Sequence, residues 1–185
     1  MRLLQSALIS IALLFTTFSA SALDGIPKAI KIGTQTLPLN GEGSRTKFII
    51  TVYNMGLYLG KKSNNAEQIM SANEAMSIRM KIVSGFASKE KIKSALIEGF
   101  NKSTGGNTAP IQSQINQLLA AGFKDEVAKG DVFDLVYTPS AGTQMIKNGK
   151  SLTQVKGLPL KKALFGIWLS NDPVQGNLKA SLLGK

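Results

Sequence analysis

Residues 48–59 read FIITVYNMGLYL, and no other stretch constrains the fold of this chain as tightly. Thr51, Tyr53 and Asn54 interrupt an otherwise apolar run rich in β-branched and aromatic side chains, the pattern of a strand buried along much of its length. Period-two geometry puts Tyr53, Met55 and Leu57 on one face and Tyr58 on the other, unless a bulge at Asn54 or Gly56 re-aims the strand. A single cation, Arg45, stands at its entry.

Such a strand needs partners, and the sequence offers several. Strand-like segments fall near 29–37 and at 77–84, where Ile78, Met80 and Ile82 alternate with Arg79 and Lys81 and predict one wet face. Strands are also expected at 131–138, 143–147 and 151–155. Asn148-Gly149 joins the last two, the dipeptide that best tolerates the positive φ values of a type I′ hairpin turn. Between the strand runs, Ser88 offers an N-cap with Glu90 in the first turn, and Ile92, Ala95, Leu96 and Phe100 share one helical face. STGGNTAP is a loop, and Pro110 then opens a second helix with a stripe of Ile111, Ile115, Leu118, Leu119 and Phe123 that ends at Gly122. A third helix follows Pro159 and carries Leu160, Ala163, Leu164, Ile167 and Trp168 until Asn171 and Asp172 break it before Pro173. Helices grouped between strand runs give an α+β fold.

The chain has 185 residues, with 43% hydrophobic and 18% charged, and shows no internal repeat or dividing linker. This predicts one domain, from Leu23 to Lys185. Residues 1–22 read as a secretory signal peptide: Arg2, an apolar stretch from Ala7 to Phe18, and Ala20-Ser21-Ala22 as the cleavage site. The expected destination is the periplasm, with cleavage after Ala22. Removing Arg2 and no acid lowers the formal charge from +11 to +10. So basic a chain suits anionic partners, and an anionic membrane surface is one expected peripheral contact. Nucleic acid is not an expected partner, because the lysines are scattered and no aromatic residues interleave with them.

Cysteine and histidine are both absent. That removes thiolate and imidazole nucleophiles, bases and metal ligands, so no metal site is expected. No paired-carboxylate or metal-ligand spacing occurs, and STGGNT lacks the Gly-Lys-Ser/Thr ending of a phosphate loop. No cofactor is expected. Any catalysis would rest on Lys, Tyr, Arg, carboxylates or positioned water.

Three stretches carry a resemblance. The glycine-bearing turn and arginine of LNGEGSR (39–45), the strand ending MGLYLG (55–60), and the closing block LKKALFGIWLSNDPVQGNLKASLLG (160–184) resemble the chalcone isomerase-like family, specifically its exported bacterial branch. The resemblance implies an open-faced β-sandwich: a large antiparallel sheet with helices packed on one face and a ligand cleft between. It also implies one of two activities, since plant members close a chalcone into a flavanone and other members bind fatty acids without turnover. In the plant enzymes an arginine steers the phenolate, a threonine and a tyrosine polarise the carbonyl through water, and an asparagine and a hydroxyl residue hold the far phenol. Arg45 matches the first role. The others fall at Tyr53, near Ser88, near Ala95 and at Lys161, so one role of five is kept.

This favours binding over turnover, with a fatty acid or similar small apolar anion as the ligand. Arg45 is the expected anchor, because a guanidinium stays charged when desolvated and matches a carboxylate bidentately; pairing with Glu42 or simple exposure is the alternative. Tyr53 is the expected second donor, with core packing as its alternative. Lys161 is a third candidate, set against a role on a solvated helix face. Trp168 reads as core. Asp134, in an apolar strand, reads either as a solvent-facing residue or as a general base with a raised pKa. An isomerase acting on a chalcone-like enone, and a structural or partner-binding envelope protein, are the competing functions.

Overall fold

A computed structural model of the chain describes residues 23–185, so the leader assigned to residues 1–22 lies outside the described residues. Seven strands form one antiparallel meander in chain order: β1 (Ala29–Ile32), β2 (Gln35–Lys47), β3 (Ile50–Leu59), β4 (Met76–Ile82), β5 (Val132–Thr138), β6 (Gly142–Lys147) and β7 (Lys150–Val155). Five helices are threaded between and after them: α1 (Ala66–Ser71), α2 (Lys89–Ser103), α3 (Gln112–Gly122), α4 (Leu158–Leu169) and α5 (Gly176–Leu182). The fold is α+β, as expected.

The sheet has two unequal faces. Tyr53, Met55, Leu57, Ile78, Met80, Phe133 and Leu135 point to the helices and join them in the main core. On the other face Tyr58 packs with Ile26, Ile30 and Leu37 in a small second cluster. The alternation expected of residues 53–58 is therefore present.

Helix positions follow local chemistry. Ser88 caps α2, its Oγ accepting from Lys91 N at 3.4 Å, and Ile92, Leu96 and Phe100 are buried below it. Pro110 lies in a single 3₁₀ turn (Ala109–Ile111) that leads into α3. Asn148 (φ +50°) and Gly149 (φ +79°) both take the left-handed conformation that a type I′ turn requires. α4 departs from the expected one-sided helix. It lies between the sheet and α1 and α2, and Leu164, Phe165, Ile167, Trp168 and Leu169 are essentially without exposure. Each such side chain contributes about 1.5–3 kcal/mol on burial, so α4 is a rigid wall for whatever lies beside it.

The amino-terminal strands differ from expectation as well. Residues 29–37 are a hairpin, turning at Gly33 (φ +58°), and β2 continues to Lys47. The glycines of LNGEGSR sit inside β2. A Cβ on Gly41 would lie 2.2 Å from Ser181 O, and one on Gly43 2.9 Å from Leu178 Cδ1, so both glycines admit α5 onto the strand. Phe48 and Ile49 form the turn between β2 and β3 and are not part of the strand.

Candidate functional site

A cavity of about 410 Å³ opens between the turn joining β2 and β3, the loop at residues 84–87, α2, and the end of α4. Val52, Met80, Ile92, Leu96, Ile167 and Trp168 make its walls apolar. Arg45 and Tyr53 both line it. They are directly paired across β2 and β3, and at the next residue of β2 the register shifts, with Thr46 opposite Thr51. The extra residue is Val52, and this bulge turns Val52 and Tyr53 toward the same space. A bulge does re-aim the strand, although closer to its start than Asn54 or Gly56. Asn54 points to the opposite face, where it accepts from Ser44 Oγ at 2.8 Å and donates to Asp24 O at 3.1 Å.

Arg45 is half-buried and has no carboxylate within ion-pair distance among the described residues. Glu42, its expected alternative partner, instead accepts from Leu23 N at 3.0 Å. One guanidinium nitrogen, Nη1, donates to Gln175 Oε1 at 2.9 Å and to Thr46 O. Gln175 Oε1 also accepts from Thr46 N at 3.0 Å, which ties the start of α5 to the end of β2. Nε and Nη2 of Arg45 donate to no protein acceptor among the described residues. A cation without a counterion thus borders an apolar cavity.

Tyr53 is buried, and its Oη accepts from Trp168 Nε1 at 3.0 Å. Burial disfavours the phenolate and pushes the phenol up to about 12, against the opposing pull of the Trp168 N–H and the Arg45 charge. The phenol is neutral at physiological pH, and with its oxygen already accepting, its proton is the group left to offer a ligand. Trp168 is core, as expected, and its one polar partner is the tyrosine of the cavity.

The remaining sequence candidates lie elsewhere. Lys161 is wholly buried and does not line the cavity; its Nζ donates to Ile69 O, Met70 O and Ala72 O at 2.7, 3.0 and 2.7 Å, closing the carboxyl end of α1. It is neither on a solvated face nor at the cavity; Lys162, exposed and paired with Glu67 at 2.9 Å, takes the surface role. Ser88 is occupied as the cap of α2, and Ala95 lines the cavity with only a methyl group. Asp134 points away from the helices and is buried in a two-point pair with Arg79, at 2.7 and 2.9 Å. Both readings of Asp134 are corrected: it is not solvent-facing, and a guanidinium that holds both carboxylate oxygens leaves no free base. Sequence reasoning missed Gln175, whose partners lie 129 and 130 residues away.

The geometry supplies a guanidinium held in place by Gln175, a neutral phenol donor and apolar walls, the elements of a site for an apolar anion. Among solved structures, the chain is similar to a fatty-acid binding protein of Arabidopsis thaliana, with a TM-score of 0.64 and 18% identity over 85% of this chain and 90% of that one. That likeness shows the fold. No curated protein sequence matches the chain. A family model described as chalcone isomerase-like matches residues 22–184, and with the meander, the helical layer and the cavity between them, this chain belongs to the chalcone isomerase-like family.

Proposed function

We propose that this protein is a non-catalytic binder of a fatty acid or similar apolar anion, a member of the exported bacterial branch of its family acting in the periplasm. The observation that carries this reading is Arg45, unpaired by any acid among the described residues and placed opposite Tyr53 at the rim of an apolar cavity. A carboxylate accepting from the free guanidinium nitrogens gains a charge-assisted pair, and the Tyr53 phenol adds a second donor. The apolar chain then lies along Val52, Leu96 and Ile167. The Arabidopsis protein of the same fold is a fatty-acid binding protein, which supports the ligand class. The basic leader with its small-residue end supports export.

An isomerase acting on a chalcone-like enone shares the arginine and a phenol. It also needs groups to polarise a carbonyl through water. Of the two positions that would supply them, Tyr53 already accepts from Trp168 and Ser88 caps α2, while the position for the asparagine at the far phenol holds only the methyl group of Ala95. Loss of such a donor typically costs about 10²–10³ in rate, which weighs against turnover.

The test is to express residues 23–185 with Arg45 intact, as Arg45→Ala and as Arg45→Lys, and to identify co-purifying acids by mass spectrometry after solvent extraction. The expected result is near-stoichiometric fatty acid in the parent, about ten- to a hundredfold less in Arg45→Ala, and partial retention in Arg45→Lys. A parent protein that is empty and stays empty when fatty acid is added would overturn the reading and favour the isomerase.

A further inference from the structure

The rim of the cavity carries most of the large apolar side chains that the protein leaves in solvent. Five such residues are exposed among those described: Phe48 at 92%, Ile49 at 97%, Phe86 at 70%, and Ile50 and Ile97 at lower values. Phe48, Ile50 and Phe86 line the mouth, and Ile49 sits between two of them at the tip of the β2–β3 turn. Phe48 is held at φ +55°, a backbone position that favours glycine, so neither packing nor turn geometry accounts for an aromatic residue there. The same mouth is basic: Arg45, Lys47, Lys91 and Lys102 line it against one acid, Glu98. Lys102 is partly offset by Asp172 at 3.5 Å, whereas Lys47 has no acidic partner among the described residues.

We propose that the β2–β3 turn and the Phe86 loop form a docking surface for an anionic lipid bilayer. Phe48, Ile49 and Phe86 enter the boundary between headgroups and acyl chains, and the flanking lysines stay with the headgroup phosphates. The two terms are complementary, since neither a few apolar side chains nor a few lysines alone holds a protein stably to a membrane. Docking in this pose places the mouth of the cavity against the bilayer. An acid then passes from membrane to cavity without crossing bulk water, a consequence that rests on the fatty-acid reading given above.

Flotation of residues 23–185 with vesicles tests the surface independently of that reading. The parent should bind vesicles of phosphatidylglycerol and phosphatidylcholine, bind pure phosphatidylcholine at least about tenfold less, and release when salt rises from about 0.05 M to about 0.5 M. Ile49 lies outside the cavity lining, so Ile49→Ser should keep its melting temperature and its binding of soluble fatty acid while losing about tenfold or more in vesicle affinity. Ile49→Glu should lose more. No vesicle binding by the parent, or equal binding by Ile49→Glu, would overturn the proposal. So would a parent dimer that Ile49→Ser dissociates without any change at the vesicle. If vesicles bind as expected and no fatty acid is found, the docking surface stands and the ligand reading fails.

Discussion

Gln175 does more than join two segments. Its Oε1 accepts from Arg45 Nη1 and Thr46 N, so it spends one corner of the guanidinium and holds the remaining nitrogens in one orientation. It is a positioning residue, and substitution separates this role from a general loss of packing. Gln175→Ala frees the arginine without adding charge, and fatty-acid affinity should fall about tenfold, the worth of one hydrogen bond to a charged group. Gln175→Glu is the sharper case. It puts a carboxylate within reach of Arg45, in direct competition with the ligand head group, so its affinity should fall further than that of the alanine variant even though its shape is conserved. Titration of both variants with a fluorescent fatty acid decides the matter, and a glutamate variant that binds as well as the parent would deny Arg45 the role of anchor.

Between elements, Lys161 joins α4 to α1. Its ammonium donates to three carbonyls at the end of a six-residue helix that is too short to persist alone. Burial lowers its pKa from 10.5 to about 8, with Glu74 opposing. A lysine whose folded value lies below its unfolded value penalises the folded state fully below the folded value. That penalty is relieved as pH rises from about 8 to 10.5, because the unfolded chain then holds the extra proton. Lys161→Met should therefore be less stable than the parent at pH 7, since each orphaned carbonyl costs about 1–3 kcal/mol. The gap should widen between pH 8 and pH 10.5 as the parent alone gains. Urea midpoints at several pH values check this, and parallel curves for the two proteins would show that Lys161 does not titrate in that window. Neither α1 nor this contact was legible in the sequence, because a lysine pair at a helix start looks like solvated surface and its acceptors are about 90 residues distant. The longer elements were legible because their signals are local: Ser88 before the α2 stripe, Pro110 before α3, Asn148-Gly149 between β6 and β7. Gly41 and Gly43 mislead for the opposite reason. Paired glycines signal a turn, but here they clear space for α5, which lies at the other end of the chain. The pairing of Arg45 with Tyr53 was partly legible, because period-two alternation fixed the face of Tyr53 while the bulge at Val52 gave no local sign.

At the scale of the whole molecule, the first described residues close the back of the sheet. Ile26, Ile30 and Leu37 cover Tyr58, whose hydroxyl donates to Pro27 O at 2.9 Å, and Asp24 pairs with Lys81 at 3.1 Å. The segment ends where Leu23 N meets Glu42 Oε2 at 3.0 Å, one residue past the expected cleavage point. Cleavage after Ala22 would turn that nitrogen from an amide into an ammonium and the hydrogen bond into an ion pair. This one contact gives the export proposal a structural test. In protein beginning at Leu23, Glu42→Gln should cost up to about 1 kcal/mol, the ordinary range for a partly exposed pair. In protein carrying two extra residues before Leu23, the same substitution should cost a few tenths at most, because a neutral hydrogen bond is all that it alters. Thermal melts of the four proteins give both differences, and the coupling between them isolates the ion pair from any other effect of the glutamine. Equal costs in the two backgrounds would mean that the new terminus does not dock on Glu42. A larger cost in the Leu23 protein, together with a mass for the exported protein that starts at Leu23, would make cleavage the step that locks the amino-terminal strand onto the sheet.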